Sequence, residues 1–349
     1  MIKVIKEGII LQKTTNEFEN AGVLNPAVIR DGSVIHLFYR AVRQGNFSTI
    51  GYCRLSNPLD VEQRSDQPLL FPNFSYESQG LEDPRIVKIE DQYYLSYTAY
   101  DGVNALGALA VSEDLIHFQK KGVIVPQITY EEFFNLTHTE KNAGQKALCY
   151  NEHARILENG DPQPLVWDKN LIFFPRKIHN KLCFLHRIKP DIQILVAISS
   201  LDELTDAFWQ DYFLHFGDKI VLSPKYAHES SYIGGGCPPI ETMAGWLIIY
   251  HGVRDTKEGY IYSACAALLD LNDPTKEIAR LPYPLFVPEY SWEKKGEVNN
   301  VCFPTGAVVF NDTLFIYYGA ADEQIACASM SLTGLIRELL QHPTTKDAN

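Results

Sequence analysis

The chain has 349 residues, 46% of them hydrophobic, and carries 31 Lys and Arg against 43 Asp and Glu, a formal net charge of −12. An acidic chain without a basic run is a poor candidate for binding nucleic acid or an anionic membrane, and no apolar run approaches the roughly 18 residues of a spanning helix. An oligosaccharide is the more suitable partner. Because the N-terminal residues lack a signal-peptide core, a cytoplasmic location is expected, or a periplasmic one if a signal peptide has been removed.

One sequence motif recurs five times along the chain: a proline, a short apolar run, a two-residue turn and an aromatic-rich apolar run. The copies begin at Pro26, Pro84, Pro175, Pro239 and Pro304. Each copy of the motif predicts a β-hairpin, and a third apolar run follows each hairpin. Copies spaced by about 60 to 65 residues predict an all-β, five-bladed β-propeller that spans residues 1–349 as a single domain. A two-layer β-sandwich is the alternative.

Two segments depart from this period. Residues 128–167 form an insertion between the second and third copies, with a helix expected around residues 131–136. The insertion either shapes the binding face or serves as a surface or subunit contact. Residues 331–341 predict a short C-terminal helix. The oligomeric state is left open, with a homo-oligomer among the candidates.

The seven cysteines are widely scattered and odd in number. Their spacing predicts neither a disulfide framework nor a thiolate zinc site, so we expect buried, reduced thiols. His228, Glu229 and His251 lack the spacing of metal ligands, and no nucleotide-binding fingerprint is present. No metal and no cofactor are therefore expected.

Charged and polar residues recur where the strands of a propeller would meet at its axis. Such groups are costly at the ends of apolar strands unless they are paired or functional, so an ion-pair network is the structural alternative. Cleavage of a glycosidic bond needs two carboxyl groups. Asp83, fixed between Glu82 and Pro84, is the first candidate, and Glu229 is the second. The predicted substrate-binding residues are Arg40, Arg43, Glu82, Arg187, His251, Asp322 and Tyr232.

Several of these motifs, taken together, resemble glycoside hydrolase family 130. They are Gly80-Leu-Glu-Asp-Pro-Arg-Ile86, Phe174-Pro-Arg-Lys-Ile178, Gly234-Gly-Gly-Cys-Pro-Pro-Ile240, Gly245-Trp-Leu-Ile-Ile-Tyr-His-Gly-Val253, Ala267-Leu-Leu-Asp-Leu-Asn-Asp-Pro274 and Tyr317-Tyr-Gly-Ala-Ala-Asp322. The resemblance implies a five-bladed propeller that cleaves β-mannosides with inversion, by hydrolysis or by phosphorolysis. It also implies that Asp83 is the general acid and that Arg40 and Asp322 hold the mannosyl unit.

The choice between hydrolysis and phosphorolysis depends on the cations available to hold phosphate. Family phosphorylases typically carry a lysine where this chain has Tyr232, and an Arg-Asn pair in the region that here reads Leu165-Val-Trp-Asp-Lys169. With two anion contacts apparently lost, the sequence favours an inverting hydrolase of β-1,2-linked mannose, with Glu229 as the general base. Its carboxyl group should then lie roughly 6.5 to 9.5 Å from that of Asp83.

Three alternatives remain open. The first is a phosphorylase that uses inorganic phosphate as co-substrate, held by Arg187 and His251 together with a site rebuilt from Lys169, Arg176 or Lys225. The second is a propeller that binds glycans without cleaving them. The third is a furanosidase such as an arabinanase, although the acidic residue expected early in its first blade is not found.

Overall fold

Antiparallel β-strands make up most of the fold. The computed structural model describes residues 2–137 and 164–344. Its strands are β1 Ile5–Leu11, β2 Gly22–Asp31, β3 Val34–Arg43, β4 Phe47–Leu55, β5 Val61–Arg64, β6 Gly80–Ile89, β7 Gln92–Tyr100, β8 Ala105–Ser112, β9 Gln119–Val123, β10 Lys169–Phe173, β11 Leu182–Arg187, β12 Ile192–Ile198, β13 Ile220–Leu222, β14 Tyr232–Gly235, β15 Ile240–Thr242, β16 Gly245–Thr256, β17 Gly259–Leu269, β18 Glu277–Arg280, β19 Cys302–Phe310, β20 Thr313–Ala320 and β21 Gln324–Ser331. The predicted all-β class is confirmed.

The strands form four hydrogen-bonded sheets, one of which joins β2–β5 to β6–β9 through a single parallel bridge between Ser48 and Gly80. Divided at this bridge, the strands give five antiparallel units. Unit 1 is β2–β5, unit 2 is β6–β9, unit 3 is β10–β13, unit 4 is β14–β18, and unit 5 is β19–β21 together with β1. The first strand of unit 3 lies earlier than predicted, because β10 ends before Pro175. β1 reaches unit 5 from the other end of the chain and pairs with β21, with Ile5 opposite Ser329.

Four α-helices accompany the strands in the described ranges. They are α1 Tyr130–Thr137, α2 Asp206–Leu214, α3 Ser291–Lys294 and α4 Leu332–Leu339. α1 and α4 confirm the helices expected in the insertion and near the C-terminus. α2 was not predicted; the Thr205 hydroxyl caps it by accepting from the Phe208 amide, and it buries Trp209. Residues 138–163, most of the predicted insertion, lie outside the described residues.

A buried ionic cluster of the same composition occurs once in each of four units. In each, a glutamate with no exposed surface accepts hydrogen bonds from a tyrosine hydroxyl and pairs with a cationic side chain. The clusters are Glu19–Tyr39–Arg64, Glu77–Tyr97–Lys120, Glu229–Tyr250–Arg280 and Glu293–Tyr318–Lys6. Unit 3 replaces this arrangement with His186, whose ring nitrogens lie 2.7 Å from Asp168 Oδ2 and from the Tyr212 hydroxyl.

The described cysteines agree with the expectation of buried, reduced thiols. Cys53, Cys183, Cys237, Cys265, Cys302 and Cys327 are all buried and not disulfide-bonded, while Cys149 lies outside the described ranges. Among the residues the structure describes, no helix has the length and apolar character required to cross a bilayer.

Candidate active site

A pocket of about 190 Å³ opens where the first strands of the units converge. Five of the predicted site residues line it: Arg40, Asp83, Arg187, Tyr232 and Asp322. Eight further described residues line the pocket, and of these only Lys169 was named from the sequence, as a candidate phosphate ligand. They are Asn25, Trp167, Lys169, Asn170, Lys189, Tyr262, Val301 and Phe303.

Breaks in strand register aim three of these side chains into the pocket. Asn25, Asp83 and Asn170 have φ angles of 49°, 49° and 53°, and each lies at an irregularity in the pairing of its unit's first two strands. Asn and Asp tolerate this left-handed conformation better than other non-glycine residues, and a bulge re-aims the local side chain. The sequence carried a signal for Asn25, because Asn25-Pro26 in unit 1 corresponds to Asp83-Pro84 in unit 2.

Asp83 lies among positive groups. The Asn25 side-chain amide donates to its Oδ1 at 2.7 Å, and Arg40 Nη1 lies 3.8 Å from the same oxygen. Burial raises the pKa of Asp83, but Arg40, Lys169 and Arg85 together with the Asn25 hydrogen bond outweigh this, so the pKa lies below its ordinary value. Among these groups Asp83 is therefore a carboxylate.

Glu82 positions two cations beside Asp83. Its carboxylate oxygens lie 2.8 Å from Arg40 Nη2 and 3.2 Å from Lys169 Nζ, and it is not part of the pocket lining. Arg40 is held further by its Nε, which donates to the Ser48 hydroxyl at 2.8 Å. Each Glu82 oxygen thus contacts a cation that lines the pocket, and the contact of Glu82 with substrate stays a prediction.

Asp322 differs from Asp83 in its protonation. Burial raises its pKa to about 6, and the carboxylates of Asp83 and Glu82 act in the same direction against the opposing effect of Arg40. Its ordinary value is 3.8. One of the two carboxyl groups that line the pocket thus gains a proton under mildly acidic conditions, while the other stays ionised.

We expect Asp322→Asn to stabilise the empty protein at neutral pH. Because the pKa of Asp322 is raised in the folded state, ionisation of Asp322 lowers the free energy of unfolding. This loss is absent below about pH 4 and grows between about pH 4 and pH 6. Above about pH 6 it is constant at about 3 kcal/mol. Urea unfolding of both proteins at pH 4 and pH 8 checks this. A difference in unfolding free energy that does not grow from pH 4 to pH 8 would contradict the raised pKa.

A second group of cations lies over Tyr232. Lys189 Nζ is 4.0 Å and the Arg187 guanidinium carbon 5.5 Å from the centre of its ring, and the Tyr232 and Tyr262 hydroxyls are 2.5 Å apart. Arg187 is largely buried, and its Nε has no hydrogen-bond partner within the described ranges. Buried donors are normally satisfied, so this group favours an anionic ligand.

His251 lies behind Tyr232 and is not part of the pocket lining. Its ring is fully buried 4.3 Å from that of Phe303, and neither ring nitrogen has a hydrogen-bond partner among residues 2–137 and 164–344. Burial lowers its pKa well below the ordinary value, and the nearby cations Arg187, Arg85 and Lys189 act in the same direction. His251 is therefore a neutral imidazole beneath the pocket surface, and its contact with substrate stays a prediction.

Three consecutive glycines, Gly234 to Gly236, leave room for the His251 ring and for neighbouring backbone. A Cβ on Gly234 would lie 2.5 Å from the His251 ring and 2.6 Å from Asn170 Oδ1, and one on Gly236 would lie 2.6 Å from the Ile249 carbonyl oxygen. The absence of side chains at these glycines brings the first strand of unit 4 close to side chains of its neighbours.

The structure does not support Glu229 as a general base. Its carboxylate has no exposed surface and does not line the pocket. The backbone amides of Lys225 and Tyr226 donate to Oε2 at 2.8 and 3.1 Å, Arg280 Nη1 lies 3.3 Å from the same oxygen, and the Tyr250 hydroxyl donates to Oε1. Glu229 is the unit 4 member of the repeated ionic cluster, so the prediction is corrected to a structural role.

Arg43 and two of the candidate phosphate ligands also lie elsewhere. Arg43 lines a separate groove on unit 1. Arg176 is bonded to Glu241 through two exposed hydrogen bonds of 2.8 Å, and neither it nor Lys225 lines the pocket. Of the three lysine and arginine alternatives, only Lys169 is present at the site.

One group of potential metal ligands occurs in the described part of the chain. Ligand atoms of His228, Glu229 and Cys265 lie within 4.8 Å of one another. Both Glu229 oxygens are already hydrogen-bonded, and burial raises the pKa of the Cys265 thiol well above its ordinary value. This donor set fits a metal ion poorly, because a thiol and a carboxylate must be free and deprotonated to bind one.

Comparisons with known proteins agree on a carbohydrate-active family. A family model described as beta-1,4-mannooligosaccharide phosphorylase matches residues 6–153 and 145–341. A 1,2-beta-oligomannan phosphorylase of Thermoanaerobacter sp. (strain X514) is 34% identical over 93% of this chain and 95% of its own length, and a beta-1,2-mannobiose phosphorylase of the same strain is 33% identical over 90% and 91%. The solved structure of a beta-1,2-mannobiose phosphorylase from Listeria innocua with beta-1,2-mannobiose superposes with a TM-score of 0.72 at 22% identity, over 97% of this chain and 99% of that one.

Proposed function

Because this chain belongs to glycoside hydrolase family 130, we propose that it is an inverting phosphorylase that cleaves β-1,2-linked mannosides with inorganic phosphate and releases α-mannose 1-phosphate. The observation that carries the proposal is the charge of the pocket. Among the described residues, Arg40, Lys169, Arg187 and Lys189 line it together with the carboxyl groups of Asp83 and Asp322. The names of relatives that match over nine-tenths of both chains support the β-1,2 linkage.

The proposal replaces the hydrolase favoured by the sequence. That preference assumed that anion contacts were missing and that Glu229 was available to activate water. Lys169 and Lys189 line the pocket, and Glu229 is enclosed in a structural cluster. Cations other than those two lost contacts are thus available in the pocket, the position of Glu229 does not favour a role in activating water, and the relatives compared above are named phosphorylases. They are also enzymes, which leaves the non-catalytic glycan-binding alternative without support, and they are named for mannosides, which disfavours an arabinanase.

The cations fall into two groups that suit two different parts of the reaction. Arg40 and Lys169 are paired with Glu82 beside Asp83, so their charge is largely balanced by carboxylates. Arg187 and Lys189 gather over Tyr232, and the cations Arg187, Arg85 and Lys189 all lower the pKa of the adjacent His251. A phosphate dianion is favoured at the second group, where several cationic donors converge.

The chemistry then requires one bond to form and one to break at the anomeric carbon. A phosphate oxygen bonds to that carbon as its bond to the glycosidic oxygen breaks, so the β-mannoside becomes α-mannose 1-phosphate. The departing oxygen gains one proton, for which Asp83 is the proposed source. Asp83 is ionised among the cations of the pocket, and a phosphate dianion nearby raises the pKa of a carboxyl group. Binding of the nucleophile thus favours protonation of the acid.

We also propose that the five units close into a five-bladed propeller around this pocket. Contacts between first strands support this arrangement: β2 contacts β6, β6 contacts β10, β10 contacts β14, and β19 contacts β2. Residues from the first strand or the preceding segment of every unit line the pocket. The pocket would then lie on the propeller axis.

Incubation of the purified protein with β-1,2-mannobiose, with and without inorganic phosphate, tests the activity. We expect strict dependence on phosphate and the formation of equal amounts of mannose and α-mannose 1-phosphate. Chromatography that resolves the two products provides the measurement. Mannose released equally well in the absence of phosphate would instead identify a hydrolase.

The Arg187→Ala variant in the same assay tests the assignment of the phosphate site. Loss of a charge-assisted hydrogen bond should raise the KM for phosphate by about 10- to 100-fold, with a smaller effect on the KM for mannobiose. Arg176→Ala serves as the control, since Arg176 is exposed and outside the pocket. An unchanged KM for phosphate in Arg187→Ala would place the anion elsewhere.

A further inference from the structure

A second cavity lies on unit 1 and is not used by the proposed reaction. It is a groove of about 330 Å³ that contains Arg43, a predicted substrate-binding residue that does not line the pocket. Residues 16–18 and 66–68 form its sides, and Phe47 and Thr49 belong to its β4 wall. The volume is within the range of ligand-binding sites for small molecules.

The groove and the pocket lie on opposite faces of the β3–β4 hairpin and only a short distance apart along it. Arg43 on β3 pairs with Phe47 on β4, and Thr49 lies two residues further along β4 on the same face. The opposite face carries Arg40 and Ser48, which are bonded to each other beside the pocket. Arg43 follows Arg40 by three residues, a distance of about 10 Å along a strand. One end of the β3–β4 hairpin therefore separates the groove from the pocket.

The wall of the groove combines a flat stacked surface with an unsatisfied hydroxyl. The Arg43 guanidinium carbon lies 4.3 Å from the centre of the Phe47 ring, and Arg43 Nη1 lies 3.6 Å from the carboxylate of Glu17, whose side chain is 85% exposed. Thr49 is 5% exposed, and its Oγ1 has no hydrogen-bond partner in the described part of the chain. Buried hydroxyls are normally satisfied, so Thr49 points to a ligand or water that supplies the missing bond.

The remaining groups favour a neutral polyhydroxylated ligand. Asn16 and Gln67 offer amides, and Asp66 offers a carboxylate, each able to exchange hydrogen bonds with hydroxyl groups. An anion is disfavoured because the carboxylates of Glu17 and Asp66 outnumber the single cation Arg43. A sugar ring has apolar faces and hydroxyl groups around its edge. The Phe47 ring and the Arg43 guanidinium suit the apolar faces, and the amides and carboxylates suit the hydroxyl groups.

We propose that this groove is a second saccharide-binding site, which holds a distal part of a long β-mannoside whose end is cleaved in the pocket. The proposal rests on the proposed function, because it takes its ligand class from that reaction. It predicts that the groove contributes to the turnover of long substrates and not to that of a disaccharide. The length of the substrate thus separates the two sites.

Phosphorolysis of β-1,2-mannobiose and of a β-1,2-oligomannan of about eight units tests the groove in Arg43→Ala and Phe47→Ala. We expect kcat/KM for the oligomannan to fall by roughly tenfold, the effect of losing one or two hydrogen bonds or an equivalent contact, while the value for mannobiose stays within about twofold. Arg30→Ala is the matched control. Arg30 stacks on Phe310 at the same 4.3 Å, at the other end of β2.

Each other outcome overturns the proposal in a distinct way. An unchanged ratio between the two substrates in both variants shows that the groove binds no saccharide. Equal losses on both substrates show that Arg43 acts through the pocket. Absence of phosphate-dependent cleavage by the unmodified protein, by contrast, refutes the proposed function itself.

Discussion

Asp83→Asn is expected to lower kcat for the phosphorolysis of β-1,2-mannobiose by about 10²- to 10⁴-fold, the usual contribution of a general acid. The amide has the same shape and still accepts the hydrogen bond from Asn25, but it has no acidic proton to transfer. The KM for phosphate should change little, because the proposed phosphate ligands Arg187 and Lys189 are retained. Steady-state kinetics with each substrate varied in turn measures the two effects separately.

A substrate with a better leaving group distinguishes an acid from a residue that only positions the sugar. Cleavage of an activated aryl β-mannoside needs little protonation, so the loss in Asp83→Asn should be much smaller on that substrate. Asp91→Asn is the matched control, because Asp91 is exposed in the turn at the far end of the same β6–β7 hairpin. A kcat on mannobiose that stays within tenfold of the original would exclude Asp83 as the acid.

Glu229→Gln should destabilise the fold by about 3–5 kcal/mol, while kcat at saturating phosphate changes less than about threefold. Removal of the charge leaves Arg280 buried with Glu277 as its other acidic partner and weakens the contacts made by the two backbone amides. Denaturant unfolding gives the free energy, and the phosphorolysis assay gives kcat.

Two further variants calibrate this result. Glu19→Gln, in the equivalent cluster of unit 1, should cost a similar amount. Glu241→Gln breaks an ion pair whose partners are both more than 40% exposed, and it should cost less than about 1 kcal/mol. If Glu229→Gln instead abolished turnover and left the unfolding free energy intact, Glu229 would act in the chemistry, and hydrolysis would again be the better proposal.

Repetition made the strands predictable, and the same repetition contained the information needed to interpret Glu229. The turn at Asp31-Gly32 separates β2 from β3, and the turn at Asn311-Asp312 separates β19 from β20, as the sequence pattern indicated. Glu229 lies 21 residues before Tyr250, while Glu19 and Glu77 each lie 20 residues before their tyrosines. A carboxylate that recurs with a fixed partner in several units is more often part of the scaffold than of the chemistry.

The pocket itself was only partly predictable. Arg40, Asp83 and Asp322 lie at strand ends within recognisable motifs, so local sequence was sufficient to find them. Lys189 lies in the connection after β11 and reaches the site through the packing of units 3 and 4, which no local pattern encodes. Conversely, Arg43 is three residues from Arg40 but on the opposite face of its strand, because side chains alternate along a strand.

The pairing of β1 with β21 makes the completion of the last sheet depend on both ends of the chain. During synthesis on a ribosome, β1 emerges first, and its partner emerges only after almost all of the other strands have been made. At about 5–20 residues per second, β1 waits for tens of seconds without its partner. Units 1 to 4 can form in the order in which they are translated, whereas unit 5 can be finished only after the C-terminal strands have been released.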